Sequence, residues 1–163
     1  MPARMILPLI LGMLVLPVFP QDEPPPTTGD TSEVSDNIAD LMAKAEQGDA
    51  DAQFNLGFMY LMGEVIPLDY KEAFRWYRAS AVQGNSSAQG SLGGMYHKGL
   101  GLPQDHIQAH MWYSLAVANS ELDQARKLWA KNRDSTAKKM TADQIAEAQR
   151  LAREWKPKSS GSQ

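Results

Sequence analysis

Two consecutive stretches of this sequence repeat each other with a period of 36 residues. The first is Ala45–Ser80, AEQGDADAQFNLGFMYLMGEVIPLDYKEAFRWYRAS, and the second is Ala81–Ala116, AVQGNSSAQGSLGGMYHKGLGLPQDHIQAHMWYSLA. The two stretches are identical at 15 of 36 positions without a gap, whereas about two or three identities would arise by chance. A period of this length is typical of an array of stacked supersecondary units.

The matched residues predict two helices in each repeat. Ala52, Leu56 and Tyr60 share one face of a first helix, which we call helix A. Gly63 suits a left-handed C-cap after helix A, and Asp69 is the expected N-cap of a second helix, helix B. The apolar stripe of helix B consists of Ala73, Trp76, Tyr77 and Ser80.

A glycine recurs in the middle of helix A, at Gly57 and again at Gly93. A glycine inside a helix costs about 1 kcal/mol relative to alanine. Its recurrence therefore indicates that a neighbouring helix packs there too closely to leave room for a Cβ atom.

The residues on either side of the repeats extend the array to a domain over 36–156. The segment before the first repeat aligns with helix B of a preceding repeat. We expect capping helices over 120–139 and 141–156, with Ser120 and Thr141 as their N-caps, which cover the apolar edges of the array. The predicted fold class is all-α: an α/α superhelical repeat solenoid with two full 36-residue repeats, 45–80 and 81–116, and capping helices.

Residues 1–20 have the organisation of an export segment, with Arg4 followed by the apolar run Met5–Phe19. The run is shorter than the roughly 20 residues of a spanning helix, and it lacks a small-x-small cleavage pattern. We expect either a signal peptide or an uncleaved N-terminal membrane anchor, and a periplasmic or secreted protein. Residues 21–35 are expected to form a disordered Pro/Thr/acidic linker and residues 157–163 a disordered tail.

Composition excludes several classes of function. The 163 residues contain no cysteine, which rules out disulfides, thiolate nucleophiles and cysteine-ligated metals. A net charge of −3 argues against a nucleic-acid partner. The charge is unevenly spread, because residues 21–91 carry 12 acidic and 4 basic side chains, while residues 92–163 carry 7 acidic and 11 basic ones.

The repeated pattern Ala-x-x-Gly-x-x-x-Ala-Gln-x-x-Leu-Gly-x-Met-Tyr-x-x-Gly…Pro-x-Asp…Ala…Trp-Tyr resembles the Sel-1-like repeat, a relative of the tetratricopeptide repeat. The resemblance covers roughly residues 38–155. It implies a helical solenoid and an adaptor or scaffold role without enzymatic activity or a cofactor, in which helix A lines the concave side and binds a protein or peptide. The matched positions are packing positions, so no family active site carries over.

Helix A would therefore present its variable positions to a partner. Phe54 and Phe58 differ between the two copies, so the shared core does not require them. They are expected either to face the groove, where aromatic side chains beside an amide suit a bound peptide, or to pack against the N-terminal helix at 38–42. The candidate binding residues are Asp51, Phe54, Asn55, Phe58, Met62, Ser91, Gly94, His97 and Lys98.

Signals for chemistry are few. His106 and His110 lie four residues apart on helix B and could share a metal, but the glutamate of a metalloprotease helix is absent, and ordinary solenoid positions explain the two histidines better. Ser135 and Lys138 match the Ser-x-x-Lys pattern of penicillin-recognising enzymes, but the partner motifs of those enzymes are absent. The alternative function is therefore an envelope hydrolase acting on β-lactams or cell-wall material. The oligomeric state and the partner's identity are not readable from the sequence.

Overall fold

The computed structural model describes residues 31–158, and within that range the chain forms seven helices and no strand. This confirms the all-α repeat solenoid. The expected export segment, 1–20, and the linker up to residue 30 lie outside the described residues. The helices are α1 (Thr31–Glu46), α2 (Ala50–Met62), α3 (Tyr70–Ala81), α4 (Ser86–Lys98), α5 (His106–Asn119), α6 (Asp123–Ala137) and α7 (Ala142–Glu154).

The helices pack in chain order from α1 to α6, and α7 then packs against α5. The two repeats are α2 with α3 and α4 with α5, so α2 and α4 are the predicted A helices and α3 and α5 the B helices. Helix α6 continues the A layer beside α4, and α7 continues the B layer beside α5. Both ends of the array therefore carry helices that cover the repeats, as expected for a short solenoid.

Local capping chemistry sets the helix ends. Asp69 and Asp105 are the N-caps of α3 and α5, and their carboxylates accept backbone N–H bonds at 2.8 and 3.0 Å. Gly63 and Gly99 follow the two A helices with φ values of 68° and 69°, the left-handed conformation that glycine adopts most readily. Thr141 forms the predicted capping box of α7 with Gln144.

The expectation that Ser120 caps α6 is wrong. Ser120 is buried and directly follows α5, and its hydroxyl donates to the Leu122 carbonyl at 3.3 Å. The hydroxyl therefore braces the turn between the helices. Helix α6 begins at Asp123, three residues after Ser120, and its N-cap position, Leu122, makes no side-chain capping bond.

The described residues extend a short way into both segments that were expected to be disordered, 21–35 and 157–163. Helix α1 begins at Thr31, five residues before the expected start, because 31–35 contains no proline or glycine that would stop the helix. At the other end, the Lys158 backbone N–H donates to the Val82 carbonyl at 2.8 Å. This bond ties the first two residues of the predicted tail to the end of α3.

The glycines inside the A helices allow close packing of the B helices. A Cβ atom added at Gly57 would lie 2.8 Å from the Tyr77 ring, and one at Gly93 would lie 2.9 Å from the Tyr113 ring. Both tyrosines are almost fully buried. The sequence prediction of a helix approaching these glycines is therefore confirmed, and a tyrosine ring makes the contact.

The repeated glutamine joins each helix A to both neighbouring turns. Gln89 is fully buried, and its amide donates to the Ala81 carbonyl at 3.1 Å and accepts from Asn119 at 3.0 Å. In the first repeat Gln53 makes the corresponding bonds, to the Ala45 carbonyl and from Gln83. A glutamine is required because one side chain must supply both a donor and an acceptor in a buried place.

Replacing Thr141 with alanine is expected to lower the free energy of unfolding by about 1 kcal/mol, because α7 loses its N-cap. Thr141→Ser keeps a hydroxyl at the same position and is expected to retain most of the stability. Urea unfolding followed by far-UV circular dichroism measures both variants. An alanine variant as stable as the serine variant would show that the capping box contributes nothing.

Candidate functional site

An open cavity of about 410 Å³ lies between α4 and α6. Helix α4 places Gly94, His97 and Lys98 on it at helical spacing, and α6 contributes Trp129 and Ser135. The full lining is Leu61, Gly90, Ser91, Gly94, Met95, His97, Lys98, Leu100, Tyr113, Trp129, Asn132 and Ser135. The cavity is at the small end of the usual range for ligand pockets, about 300–1,000 Å³.

Two stacked aromatic rings form one wall of this cavity. The Tyr113 and Trp129 rings are 6.3 Å apart between centroids and inclined by 21°. Trp129 lies directly over Gly90, where a Cβ atom would overlap the indole. Burial raises the pKa of Tyr113 to about 12, so its hydroxyl is neutral and can donate a hydrogen bond at physiological pH.

His97 is held in one orientation by α6. Its Nδ1 is 3.0 Å from the hydroxyl of Thr136, a fully buried residue, and that hydroxyl is also 2.9 Å from the Asn132 carbonyl. The hydrogen bond between Nδ1 and Thr136 fixes the orientation of the ring. Burial lowers the pKa of His97, and the nearby charges of Lys139, His106 and Lys98 lower it further.

The structure brings four of the nine predicted binding residues together. Ser91, Gly94, His97 and Lys98 all line the cavity. Three more lie on α2 and are exposed, including Phe58 at 49% and Met62 at 47%. We call this set the α2 stripe: Asn55, Phe58 and Met62. Helix α2 reaches the cavity through Leu61, which precedes Met62 in the chain.

The other two predicted residues have structural contacts. Asp51 accepts a hydrogen bond from Asn85, the N-cap of α4, at 2.8 Å. Phe54 is half-buried against the Tyr77 ring, with centroids 5.7 Å apart. Phe54 thus packs on helix B of its own repeat and not on the N-terminal helix, because Gly57, one turn later, lets Tyr77 approach α2.

The candidates for catalysis and metal binding do not assemble into one site. Ser135 lines the cavity, but its neighbour Thr136 makes the contact to a histidine. The His106 ring approaches that of His97, with centroids 5.3 Å apart, while His110 is buried beside α6. Among the described residues 31–158, no three His, Asp or Glu side chains are grouped as metal ligands.

Acidification is expected to destabilise the protein through His97 and His110. Burial lowers the pKa of His110 from 6.5, and Arg133 lowers it further while Asp134 raises it. The unfolded chain therefore binds protons first as the pH falls below about 6.5, and stability is lost progressively from there. Urea unfolding at pH 7.5 and 5.5 measures the loss. The double variant His97→Gln with His110→Gln should lose less stability than the parent protein over this pH interval. An equal loss in both proteins would show that these two histidines do not cause the acid destabilisation.

Sequence reasoning missed four important lining residues: Leu61, Tyr113, Trp129 and Asn132. Tyr113 is a repeat position that packing alone explained. Trp129 and Asn132 are outside the repeat and have no counterpart from which a role could be inferred. The one usable signal was Gly90, a glycine inside α4 that leaves room for the Trp129 ring.

Comparison with known proteins agrees with this architecture. A family model described as Sel1 repeat matches residues 50–85 and 86–120. The crystal structure of a protective antigen present in uropathogenic Escherichia coli strains, which displays an SLR fold, is 36% identical, with a TM-score of 0.67 over 72% of this chain and 24% of that chain. A Sel1 repeat protein from Oxalobacter formigenes is 27% identical, with a TM-score of 0.51 over 71% of this chain and 52% of that chain.

The chain thus spans about a quarter and about half of the lengths of these two structures. No curated protein sequence matches it. Within residues 31–158, none of the helices is both long enough and apolar enough to cross a membrane.

Proposed function

The chain is a Sel-1-like repeat protein, and on that basis we propose that it is a non-enzymatic scaffold of the cell envelope. Sel1 repeats generally mediate protein–protein interaction. The proposed binding surface is the cavity between α4 and α6 together with the α2 stripe, on the face that the resemblance assigns as concave. The proposed partner is a protein or a peptide.

The observation that carries this proposal is the combination of a cavity with exposed apolar side chains beside it. Phe58 and Met62 are about half exposed, whereas the buried residues of α2 are Ala52, Gln53, Leu56 and Gly57. Exposed apolar side chains next to a recess are characteristic of protein-binding surfaces.

Site-specific crosslinking tests the location of this surface. A photo-crosslinking amino acid in place of Phe58 is expected to capture a partner in the native organism. The same amino acid in place of Lys71, exposed on α3 in the other helix layer, is the matched control. Phe58→Ala and Asn55→Ala should weaken capture by a probe at Met62 without changing the circular dichroism spectrum. Equal capture from Phe58 and Lys71 would overturn the proposed surface.

Export and membrane attachment are part of the same proposal and rest on residues 1–20. Cell fractionation and N-terminal sequencing of the mature protein test them. A mature chain that begins after residue 20 and is soluble in the periplasm or medium indicates a cleaved signal peptide. A chain with an intact N-terminus in the inner-membrane fraction indicates an anchor, and a cytoplasmic chain overturns export.

The alternative, an envelope hydrolase, has one observation in its favour: Ser135 and His97 line the same cavity. Nitrocefin turnover by the purified protein and by Ser135→Ala distinguishes the two functions. We expect no turnover by either protein. Turnover that disappears in Ser135→Ala would replace the scaffold proposal with the hydrolase.

A further inference from the structure

The cavity between α4 and α6 has a positive rim and no carboxylate in its lining. Lys98 is exposed at its edge and forms no ion pair with any of the side chains of residues 34–158. Lys139 is close enough to His97 to act on its charge, and Lys131 lies one helical turn before Ser135. These three lysines make the surroundings of the cavity attractive to anions.

Two carboxylates in this part of the chain already have partners other than these lysines. Asp105 is the N-cap of α5 and accepts a backbone N–H of that helix. Asp134 is paired with Arg133 at 2.8 Å. Positive charge at the rim is therefore available to a partner, in keeping with the basic excess of residues 92–163.

The interior of the cavity is suited to an apolar group. Its walls include Leu61, Met95 and Leu100 besides the stacked Tyr113 and Trp129 rings. Hydrogen-bonding groups in the lining are Ser91, His97, Asn132, Ser135 and the Tyr113 hydroxyl. With about 410 Å³, the space suits one large side chain and part of the backbone that carries it.

We propose that this cavity binds a large apolar side chain of a partner peptide whose neighbouring residues are acidic, so that the side chain enters the cavity and the carboxylates meet Lys98, Lys131 and Lys139. This inference rests on the proposed function and names the chemistry of the partner. An anionic lipid surface would use the same lysines, but it would leave the apolar walls without a role.

Defined peptides test the proposal on the full chain by fluorescence anisotropy. The probe has one central tryptophan with two glutamates on each side. We expect binding to weaken at least about tenfold when alanine replaces the tryptophan, and to weaken as strongly when lysines replace the glutamates. Raising the salt concentration should weaken binding of the probe, because its ion pairs lie at an exposed rim.

Two variants of the protein test the cavity and its rim separately. Gly94→Leu fills the cavity from α4, and the new Cβ atom meets only the Tyr113 hydroxyl, at 3.5 Å. Its control is Ala146→Leu on the exposed face of α7. Lys98→Glu reverses the rim charge, with Lys71→Glu as its control. Both test variants should weaken peptide binding at least about tenfold, and both controls should bind normally.

Peptides that bind equally well with alanine or tryptophan, or normal binding by Gly94→Leu, would overturn the proposal. If Gly94→Leu fails to fold, normal binding by Lys98→Glu overturns it equally. Vesicles rich in anionic lipid that bind this chain while the probe does not would assign the lysines to a membrane. If no peptide binds but Phe58 still crosslinks to a partner, this inference fails and the proposed function stands.

Discussion

Replacing Leu92 with alanine is expected to lower the free energy of unfolding by about 2–5 kcal/mol. Leu92 is fully buried in the core cluster that contains Ala73 and Tyr77 of the first repeat and Met111 and Trp112 of the second. The cluster around Leu92 therefore joins the two repeats. The loss is a large part of the roughly 5–15 kcal/mol that stabilises a typical domain.

Urea unfolding followed by far-UV circular dichroism measures the change. Leu122→Ala is the matched control, because Leu122 is 72% exposed and its truncation should alter stability by no more than about 0.5 kcal/mol. If the two substitutions cost the same, the two repeats are not joined through this cluster.

Alanine substitutions at two adjacent glycines are expected to act in opposite directions. Gly93→Ala should destabilise the protein by about 1–3 kcal/mol, because the new Cβ atom lies 2.9 Å from the buried Tyr113 ring and either the ring or α4 must move. Gly94→Ala should stabilise it by up to about 1 kcal/mol, because alanine favours the helix and the Cβ atom has room beside the Tyr113 hydroxyl.

Comparing Gly93→Ala with Gly94→Ala separates the effect of packing on stability from the effect of helix propensity, since both changes replace a glycine in the same turn of α4. The urea concentrations at the unfolding midpoints of the two variants and of the parent protein show whether each variant is more or less stable than the parent. Two stabilised variants would mean that the Tyr113 ring yields without cost, and two destabilised variants would mean that α4 needs glycine for another reason. Gly57→Ala, opposite Tyr77, should repeat the result of Gly93→Ala.

The helices of the two repeats were predictable because their signals are local. Capping by Asp69 and Asp105, the left-handed glycines after α2 and α4, and the spacing of apolar residues all act within a few residues of the backbone they control. The repeat then identified the residues needed for packing, since the two copies share packing positions and differ elsewhere. The Ser120 cap failed for a related reason: a serine hydroxyl can also donate, and here it donates to the turn before α6.

The binding surface was predictable only in part. Ser91, Gly94, His97 and Lys98 were identified because they are variable positions on one face of α4, and that face remains open. Phe54 was misjudged because its burial depends on Tyr77, a residue 23 positions later in the chain, which Gly57 admits. Gly57 indicated that a helix approaches α2 closely, but not that the approaching group is a ring that also covers Phe54.

The fold class, the repeat and the solvent-facing side of helix A therefore follow from the order of residues alone, because helical periodicity and capping are short-range effects. The cavity exists only in the folded chain. It needs Trp129 of α6 over Gly90 of α4, Tyr113 beneath them and Leu61 from the other repeat, and no pattern along the chain links these four residues. Their meeting depends on how the capping helix packs on the array, since side chains far apart in sequence become neighbours only through tertiary packing.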